Sequence, residues 1–271
     1  MTDGIIYFLW GSAHATQLLV SLWSLRRHYA GPVAILTPDP PPSPAHLIAR
    51  DPRLQTTVGF VPLCAGRRNG AHCTKTWIHR HTPFDRTIFL DADTLVAGTL
   101  EALWPQQNAP IWTHWPKWKA FGSPVEARIR RFAAEAKCEH LLEKCGAWPA
   151  INTGVFSFHR DDAALEPIHE LCLRGRQVFI PDECAVQLLA MHHPHQLLDD
   201  RWNLSPRHGS EGGRADPRVI HAHGGKVLQP WIKARWLATL RAAWDLDLGG
   251  VRMWMPSWDR EVYLPLLPET T

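Results

Sequence analysis

Long apolar runs are absent from this sequence of 271 residues. A membrane-spanning helix needs roughly 20 consecutive apolar residues, and no segment comes near that. The apolar run over residues 5–10 follows Met1-Thr2-Asp3-Gly4, which has no basic stretch, and it is too short for the centre of a signal peptide. Charge of one sign is also scarce. The formal net charge is +3, and Arg26-Arg27, Arg67-Arg68 and Arg130-Arg131 are isolated basic pairs. A nucleic-acid partner calls for a concentrated basic surface and is therefore not expected. The six cysteines, Cys64, Cys73, Cys138, Cys145, Cys172 and Cys184, form no Cys-x-x-Cys pair and no regular framework. In a chain of this length they read as reduced, buried thiols. These absences together set the cytoplasm as the expected compartment.

What is present is ample apolar material, 45% of the residues, and 14 tryptophans. That suffices for a substantial core, and nothing in the composition indicates disorder. Indole rings suit sugar faces and membrane interfaces, although packing in the interior is their commoner use. Apolar patterning predicts strands over residues 5–10, 32–37, 56–61 and 86–90, alternating with helices over 16–28, 43–50 and 74–81. Such alternation predicts an α/β fold with a parallel, helix-covered sheet. The pattern then loosens: strands over 111–113, 151–158 and 218–221, and helices over 124–137, 161–173, 182–191 and 230–244. There is no internal repeat, and the Pro-rich turn at Pro38-Asp39-Pro40-Pro41-Pro42 lies inside the alternating region. A single domain over 1–271 is expected, with a first half over 5–110, a second over 111–231 and an extension over 232–271.

Asp91 and Asp93, in Phe89-Leu90-Asp91-Ala92-Asp93-Thr94, follow the fourth strand directly. Ligands of open α/β sheets bind at the carboxyl ends of the strands. A turn out of the strand there lets both carboxylates reach one hard cation. Mg2+ or Mn2+ is normally held by one or two carboxylates together with substrate phosphates. The triplet alone fits other readings, because acidic pairs also sit in solvated turns. A phosphatase of the haloacid dehalogenase class is one alternative. Its motif wants Thr or Val two residues past the second Asp, where this chain has Leu95, and usually sits on the first strand.

The surroundings of the pair resemble glycosyltransferase family 8. The resemblance runs in order through Cys73-Thr74-Lys75-Thr76-Trp77, residues 84–96, Ile151-Asn152-Thr153-Gly154-Val155-Phe156, Pro181-Asp182-Glu183, Trp202-Asn203-Leu204 and Val219-Ile220-His221-Ala222-His223-Gly224. It implies a GT-A fold, one domain with a mostly parallel mixed sheet flanked by helices. It also implies a metal-dependent, retaining transfer of glucose or galactose from a UDP-sugar to a glycan, glycolipid or other hydroxyl acceptor. Asp91, Asp93 and His221 correspond to the metal ligands. An imidazole beside two carboxylates favours Mn2+ over Mg2+. Phe8, Trp10, Gly11 and His14 correspond to positions around the nucleoside. Lys75, Ala92, Asn152, Thr153 and Asp182 lie in the motifs that hold the donor, and Asn203 matches the acceptor-side wall. Gly224 allows the backbone close to the diphosphate.

Departures from the family matter as well. Glu183 stands where members usually have Gln, which makes it a candidate nucleophile for a double-displacement route. With Asp182 and Lys75 it completes the expected catalytic set. Lys226 is placed to clamp the diphosphate, but Pro230-Trp231 is displaced from the family's spacing. Of the three tyrosines, Tyr7, Tyr29 and Tyr263, none sits where glycogenin glucosylates itself. Trp112, Trp115 and Trp118 have two readings, a stacking platform for a sugar acceptor or packing. The basic-aromatic segment 231–244 likewise reads as a core-packed helix or as a peripheral contact with a membrane. His192-His193-Pro194-His195 reads as a loop, since no cysteine spacing supports zinc there. A non-catalytic nucleotide-sugar-binding protein of the same fold is the remaining alternative.

Overall fold

A computed structural model of the chain describes residues 1–64, 69–106, 109–146, 148–205, 216–222 and 238–239, without the side chains of 115–117. Gly224, Lys226, Arg67-Arg68, Tyr263 and the side chain of Trp115 therefore lie outside the described residues. Of the expected helix over 230–244, residues 238–239 are described and are helical.

The first half alternates as the sequence predicts. Strands β1 (Asp3–Phe8), β2 (Val33–Thr37), β3 (Thr56–Phe60) and β4 (Arg86–Leu90) are separated by α1 (Ala15–Arg26), α2 (Pro44–Ile48) and α3 (Gly70–Lys75). The remainder adds β5 (Thr94–Val96), β6 (Ile111–Lys119), α4 (Glu126–Ala136), α5 (Leu142–Cys145), β7 (Pro149–His159), α6 (Leu165–Arg174), α7 (Pro181–Leu189), β8 (Gln196–Leu198) and β9 (Val219–His221). The main sheet runs β3-β2-β1-β4-β7-β6-β8. Four of its six pairings are parallel, and β7 runs antiparallel to both of its neighbours. A mostly parallel, mixed sheet is thus confirmed.

Strand β2 is buried at every position, as a strand covered on both faces requires. Alternation sends successive residues of β1 to opposite faces. Ile6 joins Phe89, Phe156 and Phe158 in a core with Phe132 of α4, Leu171 of α6 and Val186 of α7. Ile5 and Tyr7 join Ile88, Leu90 and Val155 against Leu18 and Leu22 of α1. The sheet is therefore a filled layer, and the segment Asp91–Asp93 leaves it at the carboxyl end of its central strand, β4.

Several local expectations change. The helix expected over 74–81 is α3 followed by a separate 3-10 turn, Ile78–Arg80. Thr74 and Thr76 turn their hydroxyls back onto the carbonyls of Gly70 and Cys73, both at 2.8 Å, an arrangement that weakens helix continuity. The strand expected over 111–113 runs on to Lys119, with register shifts at Trp112/Thr113 and at His114/Lys119. Pro116 falls in the second shift and has no N–H to give the ladder. Strands β5 and β8 were not expected. Each is three residues long, too short for a two-residue period to register. Trp112 is buried, with its ring 5.2 Å from that of Phe156, so it packs in the core.

The Cys73 and Cys172 sulfurs lie 3.7 Å apart, a thiol contact, since a disulfide bond is about 2.05 Å. Among the described residues, no helix is long and apolar enough to cross a membrane.

Candidate functional site

Strand β4 ends at Leu90, and the chain turns at once. The Asp91 N–H donates to the Gly154 carbonyl at 2.8 Å, and the Thr94 hydroxyl donates to the Asp91 carbonyl at 2.8 Å. The hydroxyl of Thr94 also meets Ser21 at 2.7 Å, which in turn meets the phenol of Tyr7 at 3.0 Å. This buried chain of hydroxyls ties the turn to α1 and β1, and burial pushes the Tyr7 pKa far up. The segment then enters β5, which pairs antiparallel with β9 in register Thr94↔His221. The Ala222 N–H closes the corner on the Asp93 carbonyl at 2.8 Å.

That pairing carries His221 to the two acids. Its Nε2 lies 3.0 Å from Asp93 Oδ1 and 3.6 Å from Asp91 Oδ2. One ligand atom from each of Asp91, Asp93 and His221 falls within 4.8 Å of the others. Burial alone would lower the His221 pKa, but the Asp93 and Asp91 carboxylates outweigh it and raise it. Gly154 makes room for the ring, because a Cβ at that position would overlap His221 Cε1 and Nδ1. Two carboxylates and one imidazole form a donor set that suits a divalent ion of the Mg2+ to Mn2+ type. Among the described residues this is the only such cluster. The histidines at 192–195 are not part of one, and His195 instead meets the His193 carbonyl and the edge of Trp148.

Beside the acids, Lys75 at the end of α3 lies 2.8 Å from both oxygens of Asp91 and 3.8 Å from Asp182 Oδ2. Desolvation disfavours its charge, yet Asp91 and Asp182 more than compensate and its pKa is raised. Asp182 sits in the first turn of α7, where Ile180, in the left-handed region at φ 53°, turns the chain and Pro181 starts the helix. A β-branched residue there is strained, and such strain clusters at functional sites. Asp182 accepts from the Thr153 hydroxyl at 2.6 Å and has His72 Nδ1 3.1 Å away. Burial would raise the Asp182 pKa; His72, Lys75 and Thr153 hold it well below the usual carboxylate range instead.

Glu183 is tied on both oxygens. Asn152 Nδ2 donates to Oε1 at 2.6 Å, and Arg128 Nη2 donates to Oε2 at 2.5 Å. Burial pushes its pKa up, and Arg128 offsets only part of this. Asn203 donates to Asn152 Oδ1 at 2.6 Å and to the Thr113 hydroxyl at 2.8 Å, while its own Oδ1 faces His221 Nδ1 at 2.8 Å. The structure thus gathers Lys75, Asp91, Asp93, Asn152, Thr153, Asp182, Glu183, Asn203 and His221 in one connected network.

Of the expected nucleoside positions, Phe8 ends β1, a strand whose carboxyl end lies beside that of β4. Beyond it Trp10 is 53% exposed, and Gly11 takes φ 65° with its N–H on Asp39 Oδ2 at 2.6 Å. His14 meets Gln17 at 2.5 Å just ahead of α1. Ala92 is buried between the two acids. Sequence reasoning missed His72, Arg128 and Asp39. His72 precedes Lys75 by three residues and shares its face of α3, but the helix expected from the sequence begins at Thr74, so that pairing was not legible. Arg128 had no signal, because its role depends on how α4 meets α7.

No known family model matches the sequence, and no curated protein sequence matches it. Solved structures do resemble the fold. The bifunctional glycosyltransferase WbbM is similar at a TM-score of 0.64 and 12% identity over 93% of this chain. The chain spans only 52% of WbbM. The galactosyltransferase LgtC, solved with donor and acceptor sugar analogues, is similar at a TM-score of 0.62 and 14% identity, with 90% of this chain and 96% of LgtC covered. The glycosyltransferase GlyE of Streptococcus pneumoniae gives a TM-score of 0.62 and 15% identity, covering 92% of this chain and 63% of GlyE. At such identities the likeness establishes the architecture alone: the chain has a GT-A fold.

Proposed function

We propose that this protein is a metal-dependent glycosyltransferase that moves a hexose from a UDP-sugar to a hydroxyl of a glycan or glycolipid, with retention of configuration. The convergence of Asp91, Asp93 and His221 at the carboxyl end of β4 carries this reading. Glucose and galactose are the sugars we assign, and Mn2+ the ion, with Mg2+ as its substitute. A divalent ion held by the three ligands supplies positive charge where negative charge develops on the departing diphosphate. Lys75, already poised between Asp91 and Asp182, adds a second cation on the same side. Asp182, kept ionised by His72, Lys75 and Thr153, is an acceptor for sugar hydroxyls. Phe8, Trp10, Gly11 and His14 receive the nucleoside at the carboxyl end of β1.

Glu183 is our candidate for attack on the anomeric carbon in a double-displacement route. Its bonds to Asn152 and Arg128 mean that it must exchange one partner for the sugar. Glu183→Gln therefore removes transfer if this route operates; near-normal turnover would leave internal return as the route. The presence of Asp91, Asp93, Asp182 and His221, which a binding module has less need of, supports this reading over a binding module without catalysis, and Leu95 in place of Thr or Val supports it over the phosphatase. The decisive experiment is a panel of sugar nucleotides with Mn2+, scored for slow hydrolysis and for thermal stabilisation. UDP-glucose or UDP-galactose should respond best, and silence across all UDP-sugars would sink the proposal.

A further inference from the structure

Asn203 is a buried amide whose polar groups all point into the protein. We infer that it is a positioning residue for His221, fixing which ring nitrogen faces the acids, and that it makes no contact with sugar. The inference rests on the metal-ion reading above.

Two backbone groups set the direction of the whole chain of hydrogen bonds. The Val155 carbonyl can only accept, and the Thr113 hydroxyl donates its one hydrogen there at 2.7 Å. The Thr113 oxygen must then accept from Asn203, 2.8 Å away. The Gly154 N–H can only donate, and it does so to Asn152 Oδ1 at 2.9 Å. That oxygen is the atom facing Asn203 at 2.6 Å, so it too accepts. Asn203 meets acceptors on one side and must present its NH2 group to them. Its carbonyl oxygen is left for His221 Nδ1 at 2.8 Å, and that nitrogen must carry a hydrogen. With Nδ1 so committed, a cation that displaces the hydrogen on Nε2 meets the ring's lone pair on the nitrogen directed at Asp91 and Asp93.

The other end of the chain agrees. With its oxygen committed, Asn152 turns its NH2 to Glu183 Oε1 at 2.6 Å, a carboxylate that accepts. Neither amide can be turned over without setting like against like at two contacts, so the histidine's orientation is over-determined by the fold. Metal-binding histidines generally donate their second ring N–H to such an acceptor, and losing it costs about 10–100-fold in metal affinity.

Two substitutions test this. Asn203→Leu removes the acceptor on Nδ1, whereas Asn203→Asp keeps one; both remove the NH2 group and lower thermal stability. The first readout needs no metal: ring N–H signals of protein labelled with 15N-histidine, with His221 identified by its absence in His221→Gln. A His221 Nδ1–H protected from exchange with water should be present in wild type and Asn203→Asp, and in Asn203→Leu, with no acceptor, that protection should be lost. Absence of the protected signal from wild type, or its survival in Asn203→Leu, overturns the inference. The second readout is titration with Mn2+ alone. Affinity should fall about 10–100-fold in Asn203→Leu and stay close to wild type in Asn203→Asp. Equal losses in both would mean mere packing and would also overturn it. If Asn203→Leu fails to fold, wild type and Asn203→Asp still decide through the ring signal. Wild type that binds no Mn2+ would sink the metal reading, and the ring signal would then judge the positioning of His221 by itself.

Discussion

Gly154 and His221 share one space: any side chain at 154 would stand where the imidazole ring lies. Gly154→Ala should therefore displace His221 as well as strain β7. Overpacking of this kind costs about 1–3 kcal/mol. Thermal melting should show the loss, and Mn2+ titration should show weakened binding. A variant that melts lower but binds metal normally would mean that the ring moves aside without harm.

Arg128 and Glu183 form an ion pair between α4 and α7, with Glu183 almost fully buried. Removing the arginine alone strands a buried carboxylate, a change that costs about 3–5 kcal/mol. Arg128→Met should unfold at much lower denaturant concentration than wild type, and Arg128→Met/Glu183→Gln should recover most of the difference. Failure of the double variant to recover would place the cost in the packing of the arginine stem.

Lys75 competes with any cation for Asp91, since it contacts both of that carboxylate's oxygens. Lys75→Met should bind Mn2+ at least as tightly as wild type. Its turnover should nevertheless fall by about 10²–10³-fold, the scale for removing one preorganised charge-stabilising group. Loss of metal binding along with turnover would contradict this division of labour.

His169 stacks on Trp77 at 5.4 Å, and burial lowers its pKa to about 4. The unfolded chain protonates this histidine near its ordinary value of about 6.5. Between these values the unfolded state binds more protons, so stability rises with pH across the window and is lost as pH falls through it. Melting temperature measured from pH 7 down to 4 should therefore decline less steeply in His169→Gln than in wild type.

Much of the site was legible because its residue types sit in short motifs at strand and helix ends. Asp91 and Asp93 directly follow an apolar strand and could be read locally, whereas Asp182 entered only through resemblance. His221 was legible only through resemblance, since nothing local says that β9 pairs with β5. The network around Glu183 was illegible for a similar reason. Arg128, Asn152 and Glu183 come from α4, β7 and α7 and Asn203 from a connecting segment, and their hydrogen-bond directions exist only after packing. Strands β5 and β8 escaped because pairing defines them and not their own pattern, while β9 was expected over 218–221. Trp112 and Trp118 were ambiguous in sequence since an indole pattern does not say which face it occupies; burial decided Trp112.

Strand β9 has only three residues and is held by the equally short β5. The two are far apart along the chain, so their pairing closes a long loop, and β9 bonds on its other side to Leu204. A cation bridging Asp91 and Asp93 to His221 would act as a clasp across that junction, adding stability in proportion to the logarithm of its concentration. Amide exchange at Val219 and Ile220 should accordingly slow when Mn2+ is added, well before any sugar nucleotide is present.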